Sequence, residues 1–186
     1  MSKTAQPRLR PTEPKDPESA ELIGKVTQPG AKPLNIFGTL AHHPLLLRRY
    51  VAFGGVFLAF GKLPAREREI VILRTAWLSR SPYEFAQHTV IGRGAGLTDE
   101  EIGRLAHPGL NGWADDDAVL LRMVDELREG DRVGDETWQS LAGRFSEEQM
   151  LELLALPGFY RMTAGMLNSA GVELDPGVEV PAWAKD

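Results

Sequence analysis

Apolar residues recur along this chain at three- and four-residue steps, and no segment alternates for long enough to build a sheet. The pattern predicts an all-α fold, a bundle of roughly eight helices. Leu46, Tyr50, Phe53, Phe57 and Phe60 set out a long helix from Pro44 to about Gly61, in which Gly54-Gly55 leaves room for a neighbour to approach closely. A second helix runs from Pro64 to near Leu78, and its stripe of Ile72, Leu73, Ala76 and Trp77 is headed by a carboxylate, Glu69. Ser81-Pro82-Tyr83-Glu84 has the form of a capping box with proline at the first helical position, and it opens a third helix that ends by Gly94 to Gly96. These three helices are expected to pack together at the centre.

The rest of the chain is punctuated in the same way. Asn35 caps a short helix to Leu40, and Thr98-Asp99-Glu100-Glu101 is a second capping box before a helix that stops at His107-Pro108-Gly109. Asp115 to Asp117 head a helix through about Arg128, and Asp135 to Phe145 is amphipathic. Ser146-Glu147-Glu148-Gln149 caps a helix to about Ala155, Pro157-Gly158 is expected to break it, and a last helix covers Phe159 to Ala170. Residues 1–33, rich in proline and charge, are expected to form a mobile arm, 34–175 the helical domain, and 176–186 an extended tail.

A length of 186 residues fits one domain. The formal net charge of −5 leaves no basic footprint, so neither nucleic acid nor an anionic membrane surface is expected as a partner. Small molecules and further copies of the chain are. The run Val51 to Phe60 is far shorter than the roughly 20 residues of a membrane span, yet it is apolar on every face. A helix of that kind needs cover all round, which predicts a homo-oligomer: dimer, trimer or hexamer. The N-terminus lacks the apolar core of a signal peptide and the chain has no cysteine, so the expected compartment is the cytoplasm. Without cysteine there is no thiolate nucleophile, and thiol redox chemistry is excluded.

The candidate chemistry lies between Glu69 and His88. Ser81, Glu84, His88, Ile91 and Ala95 share one face of the third helix, so a hydroxyl, a second carboxylate and an imidazole line up on it. Two carboxylates and a histidine on apolar faces define an acid–base site. Glu67 already serves the helix dipole from another face, which leaves Glu69 for the interior, where a raised pKa is expected to make it a proton donor or acceptor near neutrality. The capping box alone accounts for Ser81 and competes with a catalytic role for Glu84. Tyr83, pointing away from the His88 face, and Arg74, lying off the Glu69 face, are candidates for holding substrate. No metal is expected, because the chain lacks dense His/Asp spacing, and Gly92, Gly94 and Gly96 end a helix rather than form a phosphate loop.

The same residues carry a family resemblance over roughly residues 36 to 105. Leu63-Pro64 with a charged turn, Glu69 opening an apolar helix, His88 after a short break, and then GAGLTDEEI resemble the carboxymuconolactone decarboxylase family, which includes AhpD-like alkylhydroperoxidases. Redox members of that family place two cysteines where this chain has Ser81 and Glu84. Tyr83-Glu84-Phe85 before Gln87-His88 is similar to the non-redox, decarboxylase-like members. The resemblance implies an AhpD-like helical bundle, oligomers with the site near a subunit interface, and a cofactor-free lyase in which Glu69 and His88 move a proton during decarboxylation of a small carboxylated lactone or oxo acid. A peroxidase or peroxiredoxin-type family label would describe ancestry, since the dithiol is missing. A third possibility is a non-catalytic, oligomeric ligand-binding protein of the same fold. The discriminating observation is whether Glu69 and His88 face one enclosed cavity, as an enzyme requires.

Overall fold

The computed structural model describes residues 7–185, and among these there is no strand. The helices in order are α1 (Pro17–Val26), α2 (Asn35–Leu40), α3 (Pro44–Leu58), α4 (Ala65–Leu78), α5 (Pro82–Gly94), α6 (Asp99–Leu105), α7 (Asp115–Gly130), α8 (Asp135–Ala142) and α9 (Glu147–Ala170), with a 3₁₀ turn at Ala182–Ala184. The helical expectation holds, and the capping boxes at Thr98 and Ser146 both form, each side chain exchanging hydrogen bonds with the residue three places on. No helix among the described residues is long and apolar enough to cross a membrane.

The centre is α4. Every residue from Glu69 to Ala76 is buried, because α5, α7 and α9 pack around it and α6 closes one end. A single apolar stripe therefore understates how deeply this helix sits. Gly92 of α5 faces it, and a Cβ there would lie 3.3 Å from Leu73 Cδ1 and 3.7 Å from Glu69 Cβ, so the missing side chain sets how close α4 and α5 come. The long helix α3, expected at the centre, is instead peripheral. Gly54 lets it pack against Phe159, whose ring a Cβ would meet at 3.2 Å, but Phe53, Val56, Leu58 and Phe60 stay exposed, Phe60 at 81%.

Pro157 does not break the chain: α9 runs through it for 24 residues. The lost hydrogen bond and ring clash cost about 3 kcal/mol. Burying Leu153, Leu156, Phe159 and Tyr160 against α4 and α3 gains about 1.5–3 kcal/mol each, which outweighs that cost. An element also appears where the pattern predicted none. Asp16 caps α1 by accepting from Ser19 N at 2.9 Å, and Ile23 joins Leu40, Ala41 and Leu47 in a small second core.

The C-terminal segment is clasped by Asp175, which is 7% exposed. Its carboxylate accepts from Asn35 N (2.8 Å), Tyr83 Oη (2.5 Å) and Gln87 Nε2 (2.7 Å), tying the end of the chain to α2 and α5. Asp175→Ala strands three donors at once. It should lower stability by about 2–4 kcal/mol, read as a drop in the urea midpoint. An unchanged midpoint would show that the segment is not held there.

Candidate functional site

Glu69, near the start of α4, has no exposed surface, and a carboxylate buried to that degree persists only if it is compensated. Two groups do so. His88 Nδ1 of α5 lies 2.6 Å from Glu69 Oε2, and Arg68 Nε donates to Oε1 at 2.9 Å. Burial alone would raise the carboxyl, but the hydrogen bonds and positive charge of His88 and Arg68 together outweigh it and hold Glu69 below its ordinary range. The expectation of a raised Glu69 is therefore corrected: it is an ionised acceptor. Nδ1 of His88 must then be the donor, leaving Nε2 as the free nitrogen, with no hydrogen-bond partner among the described residues and the side chain 8% exposed. The edge of the Tyr160 ring packs on the imidazole, centroids 4.9 Å apart at 88°.

The raised carboxyl is Glu84, one turn before His88. It is 3% exposed, neither oxygen has a partner, and burial pushes it well above the usual carboxylate range, opposed weakly by the Ser81 hydroxyl. The capping box predicted here does not form. Ser81 is the N-cap of α5, but its hydroxyl is buried without a partner, since the Glu84 side chain turns inward rather than back to the cap. Tyr50 from α3 and Tyr160 from α9 complete the surroundings, and both phenols are raised by burial first and by neighbouring carboxylates second. Thr163 Oγ1 already donates to Phe159 O, so Tyr50 Oη donates to Thr163, 3.1 Å away.

The structure thus joins Glu69 to His88 and buries Glu84 and Ser81 beneath them, but it places two candidates elsewhere. Tyr83 is spent on Asp175. Arg74 forks onto Asp125 of α7 at 2.8 and 2.7 Å, donates to His107 O, just after α6, at 2.7 Å and stacks on Trp77, so its donors hold α4 to its neighbours rather than facing His88. Arg68 and Tyr160 were missed. Arg68 precedes Glu69 directly and was legible as its partner; Tyr160 arrives from the far end of the chain on a helix thought to be broken. Four of the surface cavities are lined by other residues and do not include Glu69, Glu84 or His88. No cluster of three or more metal-ligating side chains occurs among the described residues.

The fold is that of AhpD-like proteins. It is similar to an alkylhydroperoxidase AhpD core, an uncharacterized peroxidase-related protein from Ralstonia eutropha JMP134, with TM-score 0.78 at 19% identity over 90% of this chain and 93% of that one. A peroxidase-related protein from Silicibacter sp. TM1040 gives TM-score 0.79 at 15% identity over 96% and 97%. The debrominase Bmp8, solved with 2,3,4-tribromopyrrole bound, gives 0.73 at 13% over 90% and 91%. Residues 44–109 match the model of the Carboxymuconolactone decarboxylase family, and the chain has no cysteine. No curated protein matches the sequence significantly.

The two carboxyls should respond to pH in opposite senses. Glu69, lowered in the fold, stabilises the protein above its ordinary pKa, and that stability is lost as pH falls through the lowered value. Glu84, raised in the fold, stays protonated where the unfolded chain releases its proton, so stability declines as pH rises from the ordinary carboxyl value toward the raised one. Glu84→Gln should therefore raise the melting temperature at neutral pH and lose that advantage below about pH 4. Glu69→Gln should lower it at neutral pH. Melting curves from pH 3 to 8 check both; a Glu84→Gln variant less stable at pH 7 would contradict the assignment.

Proposed function

We propose that this protein is a cofactor-free acid–base enzyme of the carboxymuconolactone decarboxylase type, in which His88 transfers the proton and Glu69 orients it. The observation that carries the reading is the 2.6 Å contact between Glu69 Oε2 and His88 Nδ1, with Nε2 left free. In decarboxylation the carbon–carboxylate bond breaks, carbon dioxide leaves, and the electron pair stays behind in an enolate. His88 acts in its imidazolium form, with Nδ1–H held on the ionised Glu69: Nε2–H protonates that carbon, leaving the neutral Nδ1–H ring, and Nε2 afterwards recovers a proton. The neutral acid of Glu84, one turn away, is a nearby proton source for that recovery. The substrate class, a small carboxylated lactone or oxo acid, follows from the family resemblance. The debrominase among the similar folds supports small-molecule catalysis on this scaffold.

The missing wall of the pocket comes from a second copy of the chain. Phe53 touches Phe159, Phe159 touches Tyr160 and Tyr160 touches His88, with centroids 5.3, 5.4 and 4.9 Å apart, so the exposed apolar face of α3 reaches the site through one row of rings. Covering Phe53, Val56 and Phe60 in a dimer, trimer or hexamer would enclose the pair. A non-catalytic, ligand-binding oligomer is the competing reading, favoured by four surface cavities that lie away from the pair.

Glu69→Gln and His88→Ala should each reduce turnover on a carboxylated lactone or oxo acid by roughly 100-fold or more while the protein stays folded, and the double variant should lose little more. Full activity in both single variants would remove the site. Light scattering coupled to gel filtration should show an oligomer at micromolar concentration; one species at the 20.5 kDa chain mass would leave the α3 face uncovered and the pocket open.

A further inference from the structure

A cavity of about 590 Å³ lies between the α5–α6 corner and the C-terminal segment, within the roughly 300–1,000 Å³ range of small-molecule sites. It belongs to a different face of α5 from the acid–base pair. Phe85 and Thr89 line it, whereas Glu84 and His88, one position before each, do not. Phe85 and Ile102 form an apolar floor, both buried, and Val178, Pro181 and Trp183 form the roof. The roof is anchored at both ends, by the Asp175 carboxylate and by Trp183, whose ring stands edge-on to Phe85 at 5.6 Å and 88°.

Its polar groups are the cations or donors Arg93, His107 and Lys185, the Thr89 hydroxyl, and the carboxylates of Asp99 and Glu179. Arg93 bonds Asp99 through Nε alone, leaving its terminal guanidinium nitrogens without a partner among the described residues. His107 is fixed by its backbone, whose carbonyl accepts from Arg74 at 2.7 Å, and its imidazole makes no hydrogen bond among the described residues. The Trp183 ring lines the cavity, while its Nε1 is buried away from it without an acceptor. Of the acidic groups on the lining, Asp99 is paired with Arg93, and Glu179 is exposed at the rim. Apolar walls with a guanidinium, an imidazole and the ammonium of Lys185 match a flat hydrocarbon body that ends in an anion.

We infer that this cavity is a second small-molecule site, taking an aromatic carboxylate with its ring between Phe85 and Pro181, against the Trp183 ring, and its carboxylate on the donors of Arg93 and His107. The site does not rest on the chemistry proposed for Glu69 and His88. Benzoate is the probe, titrated into the ¹⁵N-labelled full chain while the Trp183 indole resonance, assigned with Trp183→Phe, and the His88 imidazole resonances are followed. Trp183 should move saturably and His88 should stay in place. Benzamide, with the same ring and no charge, and the Arg93→Gln variant, altered at an exposed side chain, should each bind about tenfold more weakly. The inference is overturned if Trp183 does not respond saturably to millimolar benzoate, if benzamide binds as well as benzoate, if Arg93→Gln binds unchanged, or if His88 moves while Trp183 does not.

Discussion

A carboxylate with no surface in water must find its compensation inside the protein, and for Glu69 that requirement ties the middle of the fold together. Its oxygens are answered by Arg68, the residue before it on α4, and by His88, nineteen residues on and reached only because α5 folds back along α4. Gly92 permits that approach, and Tyr160 of α9 closes the far side of the imidazole. Packing and charge pairing therefore constrain one another. Inside the fold the carboxylate stays ionised because these helices bring His88 and Arg68 to it and offset the cost of its burial.

The same constraint divides two chemically identical side chains. Glu69 is buried with two donors and is held ionised; Glu84 is buried with none and is pushed toward its neutral form. A histidine with a fixed donor nitrogen and a free one lies between an ionised carboxylate and a neutral acid. Tyr50 and Tyr160 keep that cluster from water without ionising themselves. This separation of roles is what an acid–base centre needs, and it arises from hydrogen-bond supply rather than from residue type.

Much of this was legible in the sequence where local rules dominate. The apolar period gave the helices, the boxes at Thr98 and Ser146 formed as read, and Glu69 with His88 emerged as a pair from spacing and family resemblance. Local rules failed wherever a distant element supplied the deciding term. Pro157 reads as a breaker, yet the burial of α9 outweighs its cost. Ser81 and Glu84 read as a capping box, but the interior takes the Glu84 side chain away from the cap. Arg74 looked free because Asp125, its partner, is fifty-one residues away, and the depression of Glu69 depended on knowing that His88 and Arg68 both reach it. The α1 helix had a local signal, Asp16-Pro17, that the surrounding proline-rich composition obscured.

Nitrogen NMR of the His88 imidazole tests the centre of this account most directly, because it reads which ring nitrogen carries the proton. With Glu69 ionised, the neutral ring should hold its proton on Nδ1, with a strongly downfield hydrogen-bonded resonance that disappears in Glu69→Gln, and Nε2 should appear unprotonated. A neutral ring protonated on Nε2, with Nδ1 accepting from a protonated Glu69, would contradict it.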